Sequence, residues 1–228
     1  IPDDGIDNDG NGYVDAYLGW NVSNETDEIG FGRHGTTVSG MIGAKGNNSM
    51  GVTGVNWDVK LMVVRGQTAA NEASVIAAYT YPLKMRKRYN ETFGEEGAFV
   101  VVTNASWGLD EGDPEDSPLW CAMYDSLGVH GILSVGATTN SDVNVDAVGD
   151  LPTTCTSDYF IGVTMTNNVD VRFGAGFGTT SIDLAAPGDG SRTTSPTNAY
   201  GSGTGTSFAA PVVSGAIALT YSAPCSEF

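Results

Sequence analysis

Residues 201–222 read GSGTGTSFAAPVVSGAIALTYS, a glycine-rich segment that runs into an apolar, alanine-rich helical pattern. Ser207 stands at the junction between the two. A helix N-terminus carries unpaired backbone N–H groups and a positive potential, which would stabilise an oxyanion formed beside the Ser207 hydroxyl. Taken alone, such a serine is better explained as the N-cap of a buried helix. A nucleotide phosphate loop fits less well, because the G-x-G-x-x-G spacing fails and no lysine follows.

A second segment supplies a histidine in a similar setting. Residues 32–44 read GRHGTTVSGMIGA and place His34 between glycines at the start of another small-residue helix. A lone histidine is more often structural, but glycines on both sides let other segments approach the imidazole. Serine and histidine at two helix starts form the hydroxyl–imidazole pair that nucleophilic acyl transfer requires.

Short apolar segments alternate with helical patterns along the chain, which predicts an α/β fold around a mostly parallel sheet. Strands are expected at residues 59–64, 98–102, 132–137, 160–165 and 181–184. Helices are expected at residues 35–45, 71–89, 118–129 and 206–222. Pro82 falls inside the second helical pattern and should kink or interrupt that helix.

The composition is that of one acidic domain of 228 residues. Lys and Arg number 10 against 27 Asp and Glu, a net charge of −17, which argues against a nucleic-acid partner because phosphate binding needs clustered cations. The one basic run, from Lys84 to Arg88, suits the C-terminal end of a helix and is interpreted as structural. No apolar stretch is long enough for a membrane span.

Four motifs together resemble the subtilase (subtilisin-like) family of serine endopeptidases: HGTTVSG, NASWG, DLAAPG and GTSFAAP, in that order along the chain. The resemblance implies a three-layer subtilisin-like α/β fold with a mostly parallel central sheet. It also implies an endopeptidase that hydrolyses peptide bonds of protein or peptide substrates through an acyl-enzyme intermediate. Compared with the family, the chain is expected to be truncated at its N-terminal end and also at its C-terminal end.

The resemblance assigns the catalytic roles by position. Ser207 would be the nucleophile, and His34 the base that takes its proton and later protonates the leaving amine. The segment GILSVGATTN, residues 131–140, runs parallel to the family's oxyanion strand and places Asn140 where the family holds its oxyanion amide. Without that strand, Asn140 would be an ordinary loop asparagine.

The resemblance also locates substrate-binding residues. Ser106, Trp107 and Gly108 would pair through their main chain with an extended peptide, although Trp107 could equally be a core residue at a strand end. The opposite wall of the primary specificity pocket would come from Ala137, Thr138 and Thr139. Because the family usually has glycine in place of Thr139, we expect a narrowed pocket that accepts large aromatic residues poorly.

The third triad member is an aspartate, and two locations are considered for it. Residues 1–15 read IPDDGIDNDGNGYVD, and Asp3 lies in a D-D-G pattern typical of the family's catalytic aspartate. That aspartate normally ends a buried apolar strand, whereas only Ile1 and Pro2 precede Asp3, and proline cannot donate to a ladder. If Asp3 is not catalytic, the triad aspartate lies upstream of residue 1, and the 228-residue chain alone should be nearly inactive.

The same acidic segment has the spacing of a calcium loop. Its candidate Ca²⁺ ligands follow the one-three-five-seven-nine pattern of EF-hand-like loops and are Asp7, Asp9, Asn11, the carbonyl of Tyr13, and Asp15. Leu18 stands where such loops carry a bidentate glutamate, so another carboxylate or a modest affinity is expected. We therefore expect a partial peptidase domain, with residues 1–15 an acidic metal-binding insertion and residues 16–228 the core carrying the His and Ser motifs. A solvated acidic turn is the remaining alternative.

Other properties follow from the resemblance. The fold would place Cys121 and Cys155 on the same side of the sheet, which predicts a disulfide between them and leaves Cys225 free or paired elsewhere. A secreted protein with an N-terminal propeptide is expected. The alternative functions are a non-catalytic subtilase-like module that binds peptides and, more remotely, a nucleotide-dependent oxidoreductase, which the missing dinucleotide fingerprint opposes.

Overall fold

The computed structural model describes residues 4–67 and 69–223, and Cys225 lies outside them. Its strands are β1 (Trp20–Asn21), β2 (Val64–Arg65), β3 (Val102–Ala105), β4 (Leu109–Asp110), β5 (Leu133–Ala137), β6 (Asp150–Leu151), β7 (Phe160–Thr166), β8 (Leu184–Pro187), β9 (Ser191–Ser195) and β10 (Ala199–Gly203). Its α-helices are α1 (Arg33–Gly43), α2 (Glu72–Glu91), α3 (Pro118–Gly128), α4 (Val145–Val148) and α5 (Thr206–Tyr221), and a short 3-10 helix spans Pro114–Asp116.

A four-stranded parallel sheet lies at the centre, in the order β3-β5-β7-β8. Its strands are apolar and separated by helices or long loops, which is the pattern of crossover units whose two faces are both covered. Strands β1 and β2 form a separate parallel pair, while β4–β6 and β9–β10 are antiparallel pairs. The predicted α/β class with a mostly parallel sheet is confirmed.

Helices cover both faces of the central sheet. Helix α5 packs on one face, where a buried cluster joins Val135, Ala137, Val163 and Met165 of the strands to small residues of the helix. On the other face α2 and α3 pack together over a largely aromatic cluster that includes Trp120. Alternate residues of each strand point to opposite faces, so one sheet serves both clusters. The predicted three-layer arrangement is confirmed.

A disulfide joins Cys121 of α3 to Cys155, which follows β6. The predicted pairing is therefore confirmed. The bond ties the loop after β6 to a helix of the aromatic cluster, in which Cys155 is itself buried.

Helix α1 lies against both α5 and β9, and small residues allow this close contact. A Cβ at Gly40 would lie 2.1 Å from Thr194 Oγ1, and one at Gly215 would lie 2.7 Å from Val55 Cβ and 3.2 Å from the Ile42 carbonyl oxygen. Any larger side chain at these two positions would push the helix away from its neighbours.

The acidic N-terminal segment packs on α2. The Tyr13 ring lies edge-on to Trp20 and to Tyr81, at 4.8 Å between ring centroids in each case. Arg88 Nη1 donates to the Gly10 carbonyl at 3.0 Å, and Arg86 donates to Asn90 Oδ1 and to the Val100 carbonyl. The basic run of α2 therefore fixes neighbouring segments, as its structural interpretation predicted.

The predicted helices match the observed ones to within two residues, whereas several strands are shifted. Predicted strand 59–64 is reduced to β2, and 98–102 is replaced by β3, because the backbone of Ala98 and Val100 is bonded to α2. Helix α2 runs through Pro82, so the predicted interruption is wrong; Pro82 instead adds to the buried side of the helix.

Candidate active site

Ser207 occupies the first turn of α5, two residues after Gly205, which is the N-cap of this helix. The Ser207 Oγ atom donates to the Ser106 carbonyl at 3.1 Å, and Ser106 Oγ donates back to the Ser207 carbonyl at 2.9 Å. These reciprocal bonds attach the start of α5 to the end of β3. In the described part of the chain, no backbone hydrogen bond uses the Ser207 N–H. That donor is one of the unpaired groups expected at a helix N-terminus.

Asn140 reaches the same helix start from the end of the β5 segment. Its Oδ1 accepts from Thr206 N at 2.9 Å and from Thr206 Oγ1 at 3.2 Å. The bond from Thr206 N fixes the oxygen end of the amide, since the Thr206 hydroxyl also donates to the Thr138 carbonyl, and no hydrogen bond within the described residues uses the Nδ2 donor. A Cβ at Gly205 would lie 2.9 Å from Asn140 Oδ1, so glycine permits this approach.

A cavity of about 170 Å³ opens beside Ser207. All six predicted substrate-binding residues line it: Ser106, Trp107 and Gly108 between β3 and β4, and Ala137, Thr138 and Thr139 at the end of β5. Asn140 and Ser207 line the same cavity. The parallel register of β3 and β5 brings these strand ends together, because the carboxyl ends of parallel strands meet at one edge of a sheet.

Trp107 combines the two roles considered for it. Its ring stacks on Trp120, with 5.5 Å between ring centroids, and packs against the aromatic cluster, yet it also lines the cavity. The substrate-binding and core interpretations are therefore compatible, since a ring anchored in the core holds the adjoining backbone in place.

His34 lies in the first turn of α1 and is exposed. Ile42 and Gly215, which meet where α1 packs on α5, follow His34 and Ser207 by eight residues each. At 1.5 Å per residue, each catalytic candidate is about 12 Å along its own helix from that contact. Within residues 4–67 and 69–223, no hydrogen bond or ion pair involves the His34 imidazole, so it is not bonded to Ser207 in this structure.

Within the described residues, no acid pairs with His34 to complete the predicted triad. Asp3 lies outside the described residues, so this structure does not test it. The next residue, Asp4, is exposed, and its carboxylate accepts from Ile6 N and Asn8 Nδ2. No carboxylate of the described residues contacts the imidazole.

The predicted calcium ligands are mostly held by local hydrogen bonds. Asp7 accepts from the backbone of Asn11 and Gly12, and Asp15 turns away to accept from Asp4 N and Gly5 N. Asp9 accepts from Asn11 as well. Over the described ranges, no three acidic, histidine or cysteine side chains gather in a set that would hold a metal. The arrangement seen here does not bring Asp7, Asp9, Asn11, Tyr13 and Asp15 together as ligands, and the calcium prediction rests on their spacing alone.

Two cavity residues were not anticipated from the sequence. Asp150 and Asp110 both line the cavity and face each other across the β4–β6 pair. Asp150 is buried, and burial raises its pKa against the opposing hydrogen bonds from Thr153 and Thr138. The only sequence signal was an acidic residue two positions before a proline, which predicts no particular role.

The assembled side chains can perform one recognisable chemistry. A hydroxyl at a helix N-terminus, an adjacent amide donor and a cleft between two strand ends suit attack on a carbonyl with stabilisation of the resulting oxyanion. This set, with a histidine on a neighbouring helix, characterises enzymes that use a nucleophilic serine.

Comparison with known proteins specifies the family. The subtilase (peptidase S8) family model matches residues 3–225. Subtilisin Savinase of Lederbergia lenta is 32% identical over 189 residues, which cover 82% of this chain and 62% of that protein. Subtilisin-like protease 1 of Plasmodium berghei is 26% identical over 241 residues, which cover 96% of this chain and 37% of that protein.

Solved structures show the same fold. A cold-adapted subtilisin-like serine proteinase matches with a TM-score of 0.69 at 22% identity, over 90% of this chain and 67% of that one. The epidermin leader peptide processing serine protease of Staphylococcus aureus matches with a TM-score of 0.67 at 22% identity, over 88% and 59% of the two chains.

The chain belongs to the subtilase family, a family of serine proteases. It spans less than two thirds of the length of the curated relatives given above. None of the helices described in residues 4–67 and 69–223 has the length and apolarity needed to cross a membrane.

Proposed function

We propose that the protein is a serine endopeptidase that hydrolyses peptide bonds through an acyl-enzyme intermediate. The observation that carries this proposal is the convergence of Ser207, Asn140 and the two predicted substrate segments on one cavity. The fixed orientation of the Asn140 amide and the unpaired Ser207 N–H add two donors of the kind an oxyanion requires.

In the proposed mechanism, His34 accepts the proton of the Ser207 hydroxyl as Oγ attacks the substrate carbonyl carbon. The carbonyl oxygen becomes an oxyanion that accepts from Asn140 Nδ2 and Ser207 N–H. The imidazolium of His34 then donates its proton to the leaving amine, which leaves an ester on Ser207. Water attacks this ester while His34 accepts a proton from the water, and the acid product and the free Ser207 hydroxyl are released. For this the Ser207 hydroxyl must exchange its bond to the Ser106 carbonyl for one to the imidazole.

We propose that the carboxylate that orients His34 comes from outside the described residues, with a residue upstream of Ile1 favoured over Asp3. The absence of a partner for the imidazole among the described carboxylates supports this. Without an orienting carboxylate the imidazole loses its preferred tautomer, and the rate falls by several orders of magnitude.

A fluorophosphonate probe tests the proposed nucleophile directly. In a chain extended upstream, the wild-type sequence should be labelled, Ser207→Ala should not be labelled, and His34→Ala should be labelled much more slowly. Ser202→Ala, a serine on β10 outside the cavity lining, is the matched control and should be labelled like wild type. Peptide binding without any labelling would instead favour the alternative, a non-catalytic peptide-binding module.

The substrate is proposed to be an extended polypeptide whose backbone lies along Ser106, Trp107 and Gly108. Thr139 keeps its proposed role of narrowing the opposite wall. It is buried and lines the cavity, which supports that role. Peptides that differ only in the residue before the cleaved bond test this, and a clear preference for Phe or Tyr would contradict it.

Calcium is proposed as a structural ion of residues 1–15. Saturating Ca²⁺, at about 100 times its dissociation constant, would stabilise the folded chain by about 2.7 kcal/mol and raise its Tm by about 5–10 °C. Asp7→Asn should abolish that rise, while Mg²⁺ at the same concentration should not reproduce it. An unchanged Tm would leave a solvated acidic turn, held by its own hydrogen bonds and by Arg88.

Secretion is proposed from the disulfide, because such bonds persist in oxidising compartments and are rare in the cytosol. An N-terminal propeptide is proposed from the family resemblance. Mass spectrometry of the protein isolated from culture medium would establish both the location and the mature N-terminus.

A further inference from the structure

The cavity beside Ser207 is acidic. Asp150 and Asp110 line it, and no lysine or arginine is among the described residues that do. The backbone pairing Asp110↔Asp150 places both carboxylates on the same two-stranded β4–β6 unit. They differ in environment, since Asp150 is only 1% exposed while Asp110 is exposed at the edge.

The hydrogen bonds of Asp150 are one-sided. Its Oδ2 accepts from Thr138 Oγ1 at 2.8 Å, from Thr139 N at 3.2 Å and from Thr153 Oγ1. No donor among the described residues reaches its Oδ1, and this atom is not fully buried. Three donors thus fix one oxygen of a side chain that lines the cavity, and the other oxygen has no hydrogen-bond donor among the described residues.

A carboxylate in this position lacks a compensating charge. No lysine, arginine or histidine of the described segments forms an ion pair with Asp150. A buried charge without a partner is costly, and the nearby carboxylate of Asp110 adds repulsion. A cation entering the cavity would relieve both effects and would bond to the free oxygen with a charge-assisted hydrogen bond.

We propose that Asp150 is a specificity-determining residue that selects lysine or arginine immediately before the cleaved bond. Thr138, Thr139 and Thr153 position its carboxylate, and Asp110 contributes a second, weaker negative charge at the edge. This inference rests on the proposed endopeptidase function, because it assigns the substrate side chain of the same site.

The experiment uses the full-length protease and peptides that differ only in the residue before the cleaved bond. Arginine is compared with citrulline, its neutral isostere, and with lysine, alanine and phenylalanine. A charged hydrogen bond contributes about 1.5–3 kcal/mol, so kcat/KM for arginine should exceed that for citrulline by about 10- to 150-fold. A ratio near one in the wild-type enzyme overturns the inference without any variant being needed.

Variants then assign the effect to one residue. Asp150→Asn should reduce the arginine-to-citrulline ratio to about threefold or less while the alanine peptide is still hydrolysed, which a merely misfolded site would not allow. Asp110→Asn should lower the ratio only about two- to fourfold. Asp116→Asn removes an exposed charge of the short 3-10 helix outside the cavity lining and should leave the ratio unchanged. An unchanged ratio in Asp150→Asn overturns the assignment.

Failure of the proposed function gives a different result. If no peptide is hydrolysed and no probe labels Ser207, binding of the arginine and citrulline peptides to the same protein is measured by fluorescence anisotropy. Tighter binding of the arginine peptide, lost in Asp150→Asn, supports the selective pocket in a non-catalytic module. Equal binding of the two peptides overturns it.

Discussion

The two helices that carry Ser207 and His34 begin in different surroundings. At the start of α5, Asn140 caps Thr206, and Ser207 and Ser106 exchange hydrogen bonds, so the nucleophile is held between two strand ends. At the start of α1, Gly32 provides no side-chain cap, and the imidazole is exposed. Neighbouring strands of one sheet hold Ser207, whereas no hydrogen bond or ion pair with the described residues holds the imidazole of His34.

The largest expected effect concerns His34 at the start of α1, whose proposed orienting carboxylate lies outside the described residues. The 228-residue chain should hydrolyse peptides about 10⁴-fold more slowly than a chain extended upstream by several dozen encoded residues, because the extension would supply the proposed orienting carboxylate. Steady-state kinetics on one fluorogenic peptide measures both. In the extended chain Asp3→Asn should change kcat by less than about threefold; a loss of several orders of magnitude would identify Asp3 as the acid and equalise the two chains.

The next effect concerns Asn140 at the start of α5. In subtilisin, loss of one oxyanion-hole donor lowers kcat by about 10²–10³, and the same is expected here for Asn140→Ala with KM little changed. Asn140→Asp is the matched variant, since it keeps an oxygen to accept from Thr206 N but removes the Nδ2 donor. Both should lose activity, and only Asn140→Ala should also lower the Tm. Normal activity in Asn140→Asp would contradict the role of the amide as donor.

A smaller effect concerns what holds the cavity wall. Reducing Cys121–Cys155, or replacing both residues with serine, releases a loop of 34 residues and should lower the free energy of unfolding by about 3–4 kcal/mol. Calorimetry with and without reductant measures this loss, and the double-serine variant should not respond to reductant. Because the loop carries Asp150, the arginine preference should weaken before hydrolysis of the alanine peptide does. The opposite order would separate the disulfide from the pocket.

The smallest effect concerns Asp146 of α4, a carboxylate that does not line the cavity. Partial desolvation acts to raise the pKa of Asp146, but hydrogen bonds from Ser181, Thr179 and Thr180 outweigh it and hold the pKa well below the ordinary 3.8. A depressed folded-state pKa stabilises the fold fully above about pH 4, and this stabilisation declines progressively as the pH falls towards the folded-state pKa. Asp146→Asn should therefore lower the Tm by a few degrees at pH 7 and by clearly less at pH 2, with unchanged kcat. Equal losses at both pH values would contradict the linkage.

Helix periodicity and short motifs predict the parts of this molecule that local chemistry determines. The four main helices are of this kind, whereas the disulfide and the grouping of Ser207 and Asn140 with the predicted substrate residues around one cavity were implied by the family resemblance. The shift from 98–102 to β3 is not, because it depends on the Met85 carbonyl and Arg86 of α2 competing for the backbone of Ala98 and Val100.

The β9–β10 hairpin and Asp150 were missed for related reasons. The hairpin turn uses positive φ at Thr197 and Asn198 rather than glycine, so its sequence has a weak turn signal. Asp150 acquires meaning only from three threonines that are three to twelve positions away in sequence and adjacent in space. Neither depends on a periodic pattern.

In the proposed mechanism, the close contact at Gly215 makes catalysis sensitive to a position far from Ser207 and His34. His34 and Ser207 lie on separate helices, so the distance between them depends on how closely α1 packs on α5. The contacts of Gly215 with Val55 and Ile42 limit that packing distance. One added methyl group at Gly215 would clash with Val55 and Ile42 and push α1 away from α5, which would also displace His34 at the start of α1. A displacement of about 1 Å at the imidazole would cost about a hundredfold in rate, so a silent-looking glycine in the middle of a helix sets the tolerance of the active site.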